Sequence, residues 1–377
     1  MTEVISRPAD IEWWAFSPTP MIRAGRHALE HEAEGWYGTL LCDSQNALGD
    51  VYVGLALAAQ STERLMIGTG VTNPLTRHPA VTAAAAATLQ EITGGRMVLG
   101  LGRGDSSAAF LGLGPLAVPR FEQYLVVLRK FLAGADVDMT ESASFSIGQS
   151  FADLNLAGSH DGSRLRWLSS TQQTVPVDVA ASGPAVIRVA ARHADRVTFS
   201  VGASPDRLRW ALELGRRCAE EAGRDPDSIS WGAYINVVCD DDRERAIALG
   251  SGSLATFARF SVMKGKPVGE MPERDKELLV ALHRVYDMTK HGESASSQAE
   301  LITGTDFPDR FGIIGDPEHC LARLRELSTL GLQRVVVMGP SVGVAEDQVD
   351  RTRGKFVSDL LPFLPGGTRT RPVAASA

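Results

Sequence analysis

Cysteine is scarce in this chain and basic residues are in deficit, and each shortage removes a class of function. The four cysteines, Cys42, Cys218, Cys239 and Cys320, stand far apart with no CxxC or Cys/His metal spacing. No disulfide framework and no metal site is expected; the thiols read as buried in a reducing compartment. Lys plus Arg number 38 against 45 for Asp plus Glu, a formal net charge of −7. That balance argues against a nucleic-acid partner, but leaves room for a local pocket that takes an anionic ligand. No window approaches the roughly 18 uninterrupted apolar residues of a membrane span. The opening MTEVISRPAD has no apolar core of the kind a signal peptide needs. There is no internal repeat of a solenoid kind. The expectation is a cytoplasmic protein with no membrane partner.

What the chain does have is an ordinary globular mix, 44% apolar and 22% charged, over 377 residues. That length is comfortable for one large barrel with insertions. A short apolar run, a Gly-rich or polar turn and a helical stretch alternate along it. This is the pattern of parallel strands joined by crossover helices. Strands are predicted at 12–16, 38–42, 65–70, 97–101, 177–181, 196–199, 231–239 and 334–338. Val335-Val336-Val337-Met338 lacks alternation, as a strand buried on both faces should. Eight such strands favour a closed (β/α)8 TIM barrel, an α/β fold.

The helices carry their own punctuation. Ser204 and Pro205 open a segment with apolar residues at Leu208, Leu212, Ala219 and Ala222, and Gly223 closes it. Asp316-Pro317-Glu318 opens another, closed by Gly331. Two stretches break the rhythm. Residues 136–174 are polar and predict a hairpin or long loop, while 251–311 predict helical pieces, the best at 275–289. Insertions at the C-terminal ends of barrel strands usually shape a substrate pocket. The expected organisation is one domain over residues 1–364 with these two insertions, and a flexible tail at 365–377.

Three segments carry candidate chemistry. In IGTGVTNPLTRHP a buried strand ends in Gly68-Thr69-Gly70-Val71-Thr72-Asn73-Pro74, where barrel enzymes place their active sites. Its glycines either admit a flat ligand against the main chain or simply connect strand to helix. In GGRMVLGLGRGDS, glycines alternate at Gly100, Gly102 and Gly104, a spacing unlike the GxGxxG of a dinucleotide fold. Asp105 follows, placed either to exchange a proton at the barrel mouth or to cap the next helix. In the third, a strand meets Ser182-Gly183-Pro184 and then a helix, whose first N–H groups and dipole favour an anion.

Together these segments strongly resemble the luciferase-like oxidoreductase family. DVYVGLALAAQSTERLMIGTGVTNPLTRHPAVTAAAAATLQEITGGRMVLGLGRGD is most similar to the methylenetetrahydromethanopterin reductase group, which uses coenzyme F420. AASGPAVIRVAARHAD and FGIIGDPEHCLARLRELSTLGLQRVVVM match the later part of the same pattern. The resemblance implies a bacterial luciferase-like barrel that holds the deazaflavin at the C-terminal ends of its strands, FMN being the alternative. It implies a non-prolyl cis peptide at Gly70-Val71, a bulge that backs the ring. Thr72 and Asn73 would line the ring, with Asp43 and Ser44 at the end of strand two and Gly102 and Gly104 beside them. The phosphate side chain would reach Ala181, Ser182, Gly183 and Pro184.

The chain also departs from the pattern. The glutamate that the methanopterin reductases carry on strand one is Ala15 here, and the Asp-His pair of the related dehydrogenases is Asp43-Ser44. Those losses point to a different acceptor, with Asp105 as leading proton donor and His78 as second candidate. Hydride transfer between the reduced deazaflavin and an unsaturated small-molecule substrate is the leading expectation, with Trp13, Trp14 and Phe16 as an apolar wall or as packing. An FMN-dependent monooxygenase and a cofactor-binding protein without turnover are the rivals. A homodimer is expected, as is common in the family.

Overall fold

Runs that are apolar on both faces become the strands. The computed structural model describes residues 10–367 apart from 147, 149, 150, 155, 159 and 170. Its main strands are β1 (Glu12–Ser17), β2 (Gly38–Leu41), β3 (Met66–Thr69), β4 (Met97–Leu101), β5 (Val177–Ala181), β6 (Arg196–Phe199), β7 (Ser230–Cys239) and β8 (Arg334–Met338). Each lies within a residue or two of its predicted place. Every residue of β2, β3, β4 and β8 is buried, as a sheet covered on both faces requires. The hydrogen-bonded order is β7-β8-β1-β2-β3-β4-β5-β6, and β6 pairs again with β7. The ring closes, and the fold is a (β/α)8 barrel.

The principal helices are α1 (Ala24–Glu34), α2 (Val51–Ser61), α3 (Pro79–Ile92), α4 (Val118–Leu132), α5 (Pro184–His193), α6 (Pro205–Glu221), α7 (Arg243–Arg259), α8 (Glu273–Val285), α9 (Pro317–Leu327) and α10 (Glu346–Lys355). Asp316 caps α9 through a 2.9 Å bond from the His319 N–H, as its position before Pro317 predicts. Ser204 stands at the N-cap of α6 without a side-chain capping bond.

Contacts divide the chain into two compact units. One comprises the residues up to Phe16, His31–Thr39, and Val179 onward; the other comprises Ser17–Glu30 and Leu40–Asp178. In the first unit the start of the strands is filled by polar side chains that bond to one another. Arg334, 1% exposed, donates to the Ser230 carbonyl (2.9 Å), the Ser230 hydroxyl (2.6 Å) and the Thr198 hydroxyl (2.7 Å). Glu12 pairs with Arg196 at 2.7 Å. Trp14 donates its Nε1–H to Glu12 (3.0 Å) and Trp13 donates to the Pro365 carbonyl (2.9 Å). Both tryptophans are buried, with Trp13 against Phe356 and Trp14 against Tyr37. Of the two readings, wall or packing, these contacts favour packing for Trp13 and Trp14.

The insertion at 251–311 packs into an apolar cluster that also takes in Val238 of β7 and Ile314. Leu254 and Ala258 of α7 join Leu279 and Leu282 of α8, with Ile302, Phe307 and Phe311 from two short helices. The tail predicted from residue 365 is anchored at its start, where Pro365 holds Trp13 and Gly367 N–H reaches the Leu364 carbonyl. Residues 368–377 lie outside the described residues. In the second unit, 137–138 pair antiparallel with 162–163, a short ladder that ties together the two sides of the polar stretch.

Candidate active site

The second unit carries an unusual strand exit. Gly70 N–H binds the Leu41 carbonyl at 2.7 Å, and the next peptide bond, Gly70-Val71, is cis. The chain then rejoins β4: Thr72 N–H reaches the Gly100 carbonyl and Gly102 N–H reaches the Thr72 carbonyl, both at 2.9 Å. The bulge therefore stands at the bond expected for it. The alternating glycines of β4 make room for it. A Cβ on Gly102 would lie 2.7 Å from a Val71 methyl, and one on Gly104 would lie 2.7 Å from Leu75 and 3.0 Å from Asn73. Gly104 also has φ +82, a backbone that side chains rarely adopt. Protein atoms lie where a Cβ of Gly102 or Gly104 would stand, so these two glycines back the bulge.

Behind the bulge lies a polar chain. Asp43, 4% exposed, accepts a 2.6 Å bond from the Thr72 hydroxyl on one oxygen and a 2.7 Å bond from Gln45 Nε2 on the other. Gln45 in turn accepts from Asn73 Nδ2 at 3.1 Å, and Asn73 Oδ1 takes the Leu75 N–H at 3.0 Å. Thr72, Asn73 and Asp43 are thus brought together, and Ser44 sits half-buried beside them, its carbonyl taking the Leu48 N–H at 2.9 Å. Burial raises the Asp43 carboxyl above the ordinary carboxylate range, against the Thr72 and Gln45 hydrogen bonds and the Arg77 charge that lower it. Burial, and then the Asp43 charge, push the neighbouring Cys42 thiol up to about 12.

The two candidate proton carriers differ in their surroundings. Asp105 is half-buried at the N-cap position of a short 3-10 helix, Ser106–Leu111, and makes no side-chain capping bond there. The neighbouring Arg103 donates Nε–H to the Leu116 carbonyl at 2.6 Å and feels the Asp105 charge. His78 caps α3: its Nδ1 accepts the Ala80 N–H at 3.1 Å, and its Nε2 lies 2.8 Å from the Ser142 carbonyl. A carbonyl can only accept, so Nε2 carries the proton and both ring nitrogens are in use. Both ring nitrogens hold backbone partners, which supports a structural role for His78.

In the first unit, Ala181, Ser182, Gly183 and Pro184 join β5 to α5. Gly183 is the N-cap, and its carbonyl accepts from Val186 and Ile187. Sequence reasoning missed Ser200 here. Its N–H binds the Ala181 carbonyl at 2.9 Å, while its buried hydroxyl has no hydrogen-bond partner among the described residues. The only signal was its place at the end of β6, equivalent to that of Ser182 after β5. Gln45 and Tyr52 were missed as well.

The sequence profile of the luciferase-like monooxygenase family matches residues 13–334. The chain belongs to this family. Among the luciferase-like relatives, a 5,10-methylenetetrahydromethanopterin reductase of Methanolobus tindarius is 28% identical, over 90% of this chain and 96% of the relative. The same enzyme of Methanopyrus kandleri is 30% identical, over 82% of this chain and 86% of its own. The solved structure of the coenzyme F420 dependent tetrahydromethanopterin reductase from Methanopyrus kandleri superposes with a TM-score of 0.67. At 22% identity it covers 94% of this chain and 99% of that one, a likeness of fold. Among the described residues, no helix of this luciferase-like protein is long and apolar enough to cross a membrane.

Proposed function

We propose that this protein is an F420-dependent oxidoreductase that exchanges hydride between the deazaflavin and an unsaturated small organic substrate. The observation that carries the reading is the β3 exit, where a cis Gly70-Val71 bulge is backed by the glycines of β4 and braced by the Asp43–Thr72 bond. The reductase relatives, which match nearly end to end, support the choice of deazaflavin over FMN.

On this reading Val71, Thr72 and Asn73 present the bulge to the ring, and Asp43 and Ser44 hold its polar edge. The fit rests on buried polar groups that already point donors and acceptors at one another, leaving a preorganised surface that needs no rearrangement. Ser182, Gly183 and the first turn of α5 take a phosphate, a reading supported by the orphaned Ser200 hydroxyl next to Ala181. Asp105 exchanges the proton that accompanies reduction of the substrate. The coenzyme supplies the hydride chemistry when bound; the protein positions both partners and excludes water.

Two further parts of the reading are a cytoplasmic location, consistent with four free thiols, and a homodimer. Ile22, Leu29, Val53, Leu57 and Val81 are exposed apolar residues of the second unit, and they support an interface on that side. The test is direct. Purified protein is titrated with F420 and with FMN, then reduced F420 is followed by absorbance with a panel of enones, imines and ketones. Tight F420 binding with turnover of at least one acceptor is expected. Preference for FMN would favour a monooxygenase, and F420 binding without any turnover would favour a binding protein.

A further inference from the structure

Arg207, in the first unit, is a buried cation with no carboxylate bonded to it among the described residues. It stands in the first turn of α6, 4% exposed, and its guanidinium fork reaches three places. Nε–H donates to the Val201 carbonyl just past β6 at 3.0 Å. One Nη donates to the Ser261 hydroxyl at 3.1 Å and the other to the Glu270 carbonyl at 3.4 Å. Those last two partners are the two ends of the segment 261–270, between α7 and α8. The Val268 N–H closes that segment on itself through the Ser261 carbonyl at 2.8 Å. So held, the segment lays Val268 against the N-cap of α5: a methyl of its side chain lies 3.4 Å from where a Gly183 Cβ would stand. One residue before Val201 is Ser200, with its orphaned hydroxyl and its N–H on the Ala181 carbonyl.

Burying a guanidinium is costly, and carbonyl and hydroxyl acceptors satisfy its N–H groups without balancing its charge. Burial lowers the Arg207 guanidinium to about 10, with the Asp275 charge acting against it. That carboxylate is itself bonded to Arg310 at 3.1 Å, so its charge is shared. An apolar side chain would fill the place at lower cost if packing were the whole purpose. An anion bound at the step from β5 to α5 supplies the missing counter-charge, and the N-terminus of α5 favours an anion there independently. We propose that Arg207 is a positioning residue for the anionic end of the coenzyme: it holds segment 261–270 so that Val268 walls Gly183, and its charge favours a phosphate at Ser182, Gly183 and Ser200. This rests on the functional reading above and extends it from the cradle to what keeps the cradle in shape.

The test compares two ligands on the full-length protein by fluorescence titration: F420, which carries the phosphate, and the ribityl deazaflavin that lacks it. Wild type should bind F420 more tightly, by about tenfold or more. In Arg207→Met the affinity for F420 should fall about five- to tenfold, the effect of one partly buried charge and the wall it holds, with the phosphate-free ligand unaffected. Arg207→Lys, which keeps the charge and loses the fork, should recover part of the loss. A loss shared equally by both ligands, or no loss for either, overturns the proposal. If Arg207→Met does not fold, Val268→Ala replaces it and should narrow the gap between the two ligands about two- to threefold; an unchanged gap overturns the idea. A wild type that prefers FMN fails the coenzyme reading, and the same comparison of FMN with riboflavin then decides the role of Arg207. Equal wild-type affinity for phosphate-bearing and phosphate-free ligands overturns the cradle and the proposal together.

Discussion

The Thr72 hydroxyl donates to the Asp43 carboxylate at 2.6 Å, joining the residue after a cis bulge to the second residue after β2. Both are buried, and the carboxylate sits above its ordinary range because burial outweighs its hydrogen bonds.

The sign of that shift makes a prediction about stability. A carboxyl raised in the folded state binds its proton more tightly there than in the unfolded chain. The ionised form therefore weighs against folding, increasingly so as pH rises through the folded value. Asp43→Asn removes that burden. Its melting temperature relative to wild type should be most favourable at pH 8 and fall as pH drops toward 4, while F420 binding is lost. Thermal scans across this range measure it, and a difference that grows toward acid would contradict the assignment.

Gly102→Ala should cost about 1–3 kcal/mol, because the new methyl lies 2.7 Å from Val71 and the bulge cannot move away freely. Val71→Ala in the same chain should restore much of that loss. Denaturant unfolding of the two single variants and the double variant gives the coupling. Simple additivity would mean that Val71 is not what Gly102 accommodates.

His78→Ala should lose roughly 1–2 kcal/mol of stability through the missing α3 cap and the missing bond to Ser142. Hydride transfer per folded molecule should stay near the wild-type rate. His78→Asn, which can still cap, should recover part of the stability. A variant that keeps its melting temperature but loses its rate would return His78 to the proton-transfer step.

Asp240, whose side chain is fully buried, accepts from Arg245 Nε at 3.0 Å and Arg351 at 2.8 Å, and the Arg245 hydrogen bonds foremost lower its carboxyl to about 2. A depressed carboxyl stabilises the fold at pH values above its unfolded range, and that contribution fades as pH falls through the folded value. Asp240→Asn should therefore be less stable than wild type at pH 7, by about 1–3 kcal/mol. The gap should narrow between pH 4 and pH 2. A gap independent of pH would show that packing, not charge, is lost.

The fold was legible because each barrel strand is a short run apolar on both faces, and burial on two sides leaves few other ways to read Val335-Val336-Val337-Met338. The site was legible in part. Composition marks Gly70 and Gly102 as turns of some kind, but only the family resemblance located the cis bond, since two glycines alone do not distinguish a ligand from a neighbouring strand. Trp13 and Trp14 stayed open between packing and a pocket wall because neighbouring residues of a buried strand are equally apolar, and sequence offers no means to tell the two apart. Tyr52 was illegible because α2 is buried along much of its length and a tyrosine there reads as packing. The Arg77 guanidinium over its ring reaches it only after the chain has folded back.

The glycine alternation in β4 has a bearing on how such a protein changes over time. At positions 100, 102 and 104 a new side chain meets the neighbouring segment before it meets any substrate. Drift along this strand is therefore held in check by its neighbour, and a directed-evolution library should leave these three positions untouched and place its diversity elsewhere in the chain.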